Sequence, residues 1–265
     1  MKKIENKNII HVKKDGIEYI QFKKLLEHGI KHAYTLKGDN INFRSTNPEL
    51  EYSSYKVLYD ALGLDINTFT KPLQKHTSRV KCIDKAMEKA KLPDIDGLIT
   101  DKKGITLSST NADCILFLFY DPVKNVIANV HSGWRGTFQK IAEKAVCKMI
   151  EHYRCDPKDI LCFICPSIRK CHFEVDEDVK ELCENIFNFT GKIDKFIFKG
   201  EVKNGKQKYF IDTVEINRIL LRYCGLKAKN IIDSGICSVC HSDKISSYRV
   251  EGKDFKLATA VISLD

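Results

Sequence analysis

Two imidazoles and a thiol stand at the ends of short extended runs: His76, Cys114 and His131. Cys114 opens an apolar run that ends at Tyr120. A second run ends at His131, and Gly133-Trp134-Arg135-Gly136 follows it into a helical pattern. If the two runs are neighbouring buried strands, thiol and imidazole emerge at one rim beside a helix N-terminus. Imidazole and thiolate suit zinc or copper, and three protein donors leave a fourth position for water or substrate. The same residues also read as a nucleophile–base pair, with Cys114 activated by His131, or as a buried cysteine acting as a small hydrophobe. Spacing alone does not choose between them. Asp113 would orient a ligand or serve as a general base, or simply start the strand. Arg135, between two glycines at a helix start, would hold a phosphate or carboxylate. Trp134, the only tryptophan, would stack on a base or fill the core.

Other cysteines form patterns too. Cys237-Ser-Val-Cys240-His241 matches the C-x-x-C-H of haem attachment, and Cys162 and Cys165 form a second C-x-x-C. Together the two pairs suggest a four-cysteine zinc site. Against that, Cys162 and Cys165 sit in an apolar strand whose alternate side chains face opposite ways. Haem attachment belongs outside the cytosol, and no export signal is visible. Ser247-Tyr-Arg249 places an arginine at the end of a predicted strand, by itself an ordinary surface position.

Hydrophobic periodicity supplies the frame for these residues. Strands are expected at Ile17–Phe22, Lys31–Leu36, Asp96–Thr100, Ile105–Ser108, Ile160–Ile164, Asn230–Asp233, Ile245–Val250 and Leu257–Leu264, with a short extended piece from Leu73 to Val80. The polar stretch Gly38–Asn47 is expected to be a loop. Helices are expected over Ser53–Leu62, Thr137–Tyr153, around Val179–Ile186, and from the cap Asp212 to Gly225. Asn204-Gly205 marks a hairpin. Strands and helices alternate without a repeat or linker. This predicts a single domain over 1–265, α/β or α+β with mixed sheets rather than a doubly wound parallel sheet.

Composition narrows the function. The 265 residues are 43% hydrophobic and 30% charged, as in ordinary globular proteins. The net charge of +9 comes from lysines spread along the chain, without the clustered arginines and aromatics of a nucleic-acid groove. Such a surface would draw in anionic substrates. No apolar run is long enough to span a bilayer. The N-terminus has no signal peptide, and eleven cysteines then imply reduced thiols and a cytoplasmic protein.

The blocks Asp96-Gly-Leu-Ile-Thr100, Thr110-Asn-Ala-Asp-Cys114, Asp121-Pro122 and His131-Ser-Gly-Trp-Arg-Gly136 resemble the YfiH-like family. Gln74-Lys-His76, Cys165-Pro-Ser-Ile168, Phe173-Glu-Val175 and Ser247-Tyr-Arg249 are similar to its other blocks. That family carries two names, multicopper polyphenol oxidase (laccase) and purine nucleoside phosphorylase. The resemblance implies a four-layer fold of mixed sheets flanked by helices, similar to cysteine hydrolase-like toxins. It implies zinc on His76, Cys114 and His131. It also implies phosphorolysis of adenosine, inosine and methylthioadenosine, with adenosine deamination. Purine nucleosides and phosphate would be the partners, with Asn42, Arg135, Ser247 and Arg249 as binding residues. Cys114, His131, Asp113 and Arg135 are the candidate catalytic set. A cysteine hydrolase acting on cell-wall precursor peptides is the alternative, and a metal-binding protein without turnover a third. A multicopper oxidase fits less well. Its cluster needs many imidazoles, and this chain has 8 histidines and no His-x-His pair. Copper nevertheless fits the same three donors.

Overall fold

The computed structural model describes residues 4–38, 41–44 and 48–264. Its strands run β1 (Ile9–Lys14), β2 (Ile17–Phe22), β3 (Lys31–Thr35), β4 (Phe69–Thr70), β5 (Val80–Cys82), β6 (Gly97–Thr100), β7 (Thr106–Asn111), β8 (Ile115–Asp121), β9 (Val126–Ser132), β10 (Leu161–Ile164), β11 (Glu174–Val175), β12 (Ile197–Lys203), β13 (Lys206–Ile211), β14 (Ile231–Asp233) and β15 (Ala258–Ser263). The helices are α1 (Lys23–Glu27), α2 (Pro48–Leu62), α3 (Trp134–Phe138), α4 (Ile141–Tyr153), α5 (Glu177–Phe187), α6 (Thr213–Tyr223) and α7 (Tyr248–Glu251).

Two six-stranded mixed sheets form the centre, in the orders β1-β2-β3-β15-β7-β4 and β14-β10-β8-β9-β6-β5. Parallel pairing is confined to β4 with β7, β5 with β6 and β10 with β14. The facing sheets share one core. Phe22, Tyr34, Leu107 and Ile262 come from the first sheet, and Leu116, Leu118, Ile127 and Phe163 from the second. The outer face of the first sheet packs Tyr19, Ala33 and Val261 on Tyr55, Leu58 and Tyr59 of α2. The outer face of the second packs Ile115, Phe117, Phe119 and Val130 on Ile141, Val146 and Met149 of α4 and Val214 and Leu221 of α6. The result is four layers: helix, sheet, sheet, helix. A strand covered on both faces has no polar side, so β8 reads as continuous apolar sequence and every residue of it is buried. A small third sheet, β11-β13-β12, packs with α5 and α6 around Phe187, Phe196 and Ile211.

The expected mixed α+β architecture is the one found. Asp212 caps α6 by accepting from the Glu215 N–H at 3.0 Å, and Asn204 and Gly205 turn the β12–β13 hairpin with φ of 52° and 72°. Three expectations need correction, and one strand was not foreseen. The single helix over Thr137–Tyr153 is two, because Lys140 adopts φ 60° between α3 and α4. Ile245–Val250 is not a strand, and Arg249 sits in the one-turn α7. Leu73–Val80 contains no strand before Val80 but an irregular loop with His76 at φ 58°. β1 was missed, since Ile9-Ile-His-Val12 alternates too weakly to stand out. Part of the expected Gly38–Asn47 loop, residues 39–40 and 45–47, lies outside the described residues.

Candidate metal centre

Register brings the hairpin residues of the site together. In the β8–β9 pair Ile115 lies opposite Ser132 and Leu116 opposite His131. Cys114, one residue before β8, therefore meets the end of β9 at Gly133. The connecting turn is set by Asp121, whose Oδ1 accepts the N–H groups of Val123 and Lys124. The loop bearing His76 is pinned by Gln74. Its amide donates to the Thr110 carbonyl and accepts the Thr110 N–H, both at 2.8 Å, so it pairs with the edge of β7 like an added strand.

The three side chains converge. His76 Nε2 lies 3.7 Å from Cys114 Sγ, and the three donor atoms of His76, Cys114 and His131 lie within 4.8 Å of one another. A tetrahedral zinc with bonds of about 2.05 Å to nitrogen and about 2.3 Å to sulfur separates such donors by about 3.6 Å. Gly133 makes the approach feasible. A Cβ there would stand 2.7 Å from His76 Cδ2 and 3.1 Å from Cys114 Sγ. The donor chemistry and this missing side chain fit a bound metal. Among the described residues His76 and His131 are the only imidazoles in the group, too few for a multicopper cluster.

Asp96, just before β6, organises the group and was not a candidate from sequence. Its Oδ1 accepts from His131 Nδ1 at 2.8 Å and from the His76 N–H at 3.1 Å. Its Oδ2 accepts from the N–H of Lys75 and Thr77 and from the Thr77 hydroxyl. One fully buried carboxylate thus folds the His76 loop around itself and fixes the His131 tautomer. The Nε2 lone pair of His131 is then left for a ligand. The hints in sequence are its place at the head of the family block Asp96-Gly-Leu-Ile-Thr100 and an acid standing before the wholly buried strand Gly97–Thr100.

Electrostatics follow from this packing. Burial opposes ionisation of the Cys114 thiol, but the His131 charge and hydrogen bonds from both imidazoles bring it down to about 6. Burial would likewise lower His131, yet Cys114 and Asp96 raise it to about 9. Asp96 resists its own burial through His131 and Thr77 and is held at about 2.

A cavity of about 560 Å³ opens over the three donors, with Trp134, Phe173, Tyr248, Phe255 and Arg249 among its walls. Asp113 lines it at φ 81°, a left-handed conformation uncommon outside glycine. Its carboxylate is already engaged. Oδ1 accepts from the Ser238 hydroxyl at 2.5 Å and Oδ2 from the Arg249 N–H at 2.7 Å. Asp113 therefore ties the Cys114 turn to two other loops, and the geometry favours this positioning role over proton transfer.

The remaining candidates scatter. Arg249 lines the cavity, and its guanidinium donates to the carbonyls of His172 and Glu174. Asn42 lines an adjoining hollow that shares Gln74, Thr110 and Leu257 with the cavity. Ser247 is buried and does not line the cavity, its N–H given to Glu251. Arg135 is exposed and lies over the Trp134 ring at 4.3 Å, outside the cavity lining.

Among the described residues no helix is long and apolar enough to cross a membrane. The chain is 30% identical over 243 residues to the mouse protein named purine nucleoside phosphorylase LACC1, an alignment covering 89% of this chain and 53% of that protein. It thus spans about half the length of that curated relative. It is 28% identical over 202 residues to purine nucleoside phosphorylase YlmD of Bacillus subtilis, covering 73% of this chain and 70% of the relative. The fold matches the crystal structure of Bacillus licheniformis YfiH with a TM-score of 0.85, at 23% identity, covering 98% of this chain and 100% of that one. Residues 38–264 match the model of the family described as multi-copper polyphenol oxidoreductase laccase, and the chain belongs to that family.

Proposed function

We propose that the protein is a zinc-dependent purine nucleoside enzyme. It would cleave adenosine, inosine and methylthioadenosine by phosphorolysis and deaminate adenosine. The observation that carries the reading is an incomplete donor set, two imidazoles and a thiol, opening into a cavity of nucleoside size walled by aromatic side chains. The names of the relatives at 28–30% identity supply the substrate class.

His76, Cys114 and His131 would hold the ion, with Asp96 orienting the His131 ring and holding the backbone of the His76 loop. When bound, zinc supplies Lewis-acid polarisation of a substrate or water oxygen. Trp134, Phe173 and Tyr248 offer faces for stacking a purine. Arg249, at the cavity wall, and Asn42, in the adjoining hollow, would be the residues that bind phosphate. Phosphate would attack the ribose carbon that bears the base, and the purine would leave with the bonding pair and take up a proton. Copper fits the same donors, so metal replacement belongs in the test.

The test incubates zinc-replete and copper-replete protein with each nucleoside, with and without phosphate. Phosphate-dependent free base and ribose 1-phosphate, or its methylthio analogue, are expected from the zinc form, and inosine from adenosine. Zinc-replete protein that releases neither base nor sugar phosphate would refute phosphorolysis. One observation favours a second reading. The Cys114 sulfur beside His76 and His131 is also the arrangement of a cysteine hydrolase. That reading predicts activity that survives chelation and is abolished by thiol alkylation.

A further inference from the structure

A second group of metal-ligating side chains lies outside the three donors at the cavity floor. Cys171 Sγ stands 3.6 Å from Cys237 Sγ and 3.9 Å from Cys240 Sγ. His172 Nδ1 stands 3.6 Å from Cys237 Sγ, 3.6 Å from Cys240 Sγ and 3.1 Å from Cys171 Sγ. All four donor atoms lie within 4.8 Å of one another. Around a tetrahedral zinc, bonds of about 2.3 Å to sulfur and about 2.05 Å to nitrogen put S···S at about 3.8 Å and S···N at about 3.6 Å. Four of the five separations match to about 0.2 Å. A disulfide requires two sulfurs at about 2.05 Å and would leave the third thiol and the imidazole unexplained.

The backbone is arranged to deliver these donors. Cys171 and His172 ride a tight turn in which the His172 N–H donates to the Arg169 carbonyl at 2.8 Å. The Arg169 guanidinium makes a two-pronged bond to Asp233 at 2.8 and 2.9 Å and donates to the Ile236 carbonyl. Ser167 bridges Cys237, and the Ser238 N–H donates to the Ser167 carbonyl. The two loops, 66 residues apart in sequence, are thus registered before any ion arrives.

We propose that Cys171, His172, Cys237 and Cys240 form a closed structural zinc site that fastens the outer wall of the cavity. The C-x-x-C half is the spacing of zinc knuckles, and three sulfurs with one imidazole select zinc over oxygen-seeking cations. The ligands are joined directly to wall residues: Phe173 follows His172, Arg249 donates to the His172 carbonyl, and Ser238, between the two knuckle cysteines, donates to the wall residue Asp113. His241, which completes the haem-like pattern, turns its Nδ1 to the Cys237 carbonyl and stays outside the cluster.

The test is elemental analysis of full-length protein purified without added metal. Wild type is expected to carry about two zinc ions per chain, with His76→Ala and Cys240→Ser each losing about one. Because Cys240→Ser can fail to fold, His76→Ala is also loaded with cobalt. Its remaining ion should show the intense thiolate-to-cobalt absorption of several sulfur ligands, which is absent if only the Cys114 thiolate is available. A wild-type chain holding one ion that His76→Ala abolishes would overturn the proposal. So would a disulfide among these cysteines in freshly purified protein, or copper or iron in place of zinc at this site.

Discussion

Asp96→Asn isolates what positions the ligands from the ligands themselves. The native carboxylate accepts five hydrogen bonds, two at Oδ1 and three at Oδ2. Asparagine replaces one acceptor with an NH2 group. If that group takes the Oδ2 position, the Lys75 and Thr77 N–H groups lose their partner, while the Thr77 hydroxyl can rotate to accept. If it takes the Oδ1 position, the His76 N–H loses its partner. His131 must then accept through Nδ1, which moves its proton to Nε2 and blocks the metal-facing lone pair. Each unmet buried donor costs about 1–3 kcal/mol, so the variant should lose about 1–3 kcal/mol of stability with one donor unmet and about 2–6 kcal/mol with two. Loss of the carboxylate behind a metal-facing histidine lowers affinity by about 10–100-fold. Zinc competition against a chelator of known affinity, with urea unfolding of metal-free protein alongside, measures both. A folded Asp96→Asn protein with zinc affinity within about twofold of wild type would refute the positioning argument.

Gly133→Ala should damage the same group by a different route. The backbone at Gly133, φ −69°, suits alanine. The added Cβ meets His76 and Cys114 rather than strained backbone. Overpacking of about 1–3 kcal/mol should therefore appear as roughly tenfold or more weaker zinc binding. Equal zinc affinity in a competition titration would show that the loop moves aside freely. Asp233 gives a pH prediction. Burial would raise its pKa, but Arg169 chiefly, with Gly235 and Arg218, holds it below the ordinary value. Its stabilising contribution is complete above about pH 4 and is lost as pH falls through the lower folded value. Asp233→Asn should cost about 1–3 kcal/mol at neutral pH, and the gap in urea midpoint should narrow on acidification. A gap independent of pH would count against the ion pair.

Sequence exposed the parts of the site that obey a period and hid those that depend on backbone contacts. Cys114 and His131 were legible because two short apolar runs, read as neighbouring buried strands, bring a thiol and an imidazole to one rim, and the β8–β9 pairing does so. His76 was legible as a residue type but not as a conformation, since its loop is shaped by a carboxylate 20 residues later. Asp96 was legible only as the head of a family block, and its organising role was not, because most of its partners are main-chain N–H groups, which leave no pattern. Arg135 looked like an anion ligand because a helix start between glycines allows one. The single turn of α3 instead stacks it on Trp134 in solvent. Ile245–Val250 has strand-like composition, but Asp113 captures the Arg249 N–H and the segment curls into a helical turn.

The cysteines show how a sound local argument can reach the wrong partner. Strand alternation does send Cys162 into the core beneath α4 and Cys165 into the core between the sheets, so they cannot share an ion. That excludes Cys162 and Cys165, not a partner for the Cys237–Cys240 knuckle. The partner is a pair of consecutive residues, Cys171-His172, which no metal-site spacing rule selects. It is brought into place by Arg169 reaching across to Asp233 and Ile236. The two donor groups then differ in the respect that separates reactive from structural metal sites. One has three donors and faces a cavity, so chemistry has a position to enter. The other has four donors arranged near the corners of a tetrahedron, with no corner left over, and can only hold loops together. Because those loops carry Phe173 and hold Arg249 and Asp113 through the His172 carbonyl and the Ser238 hydroxyl, emptying the closed site should loosen the wall that substrate meets while leaving the open site's own ligands in place.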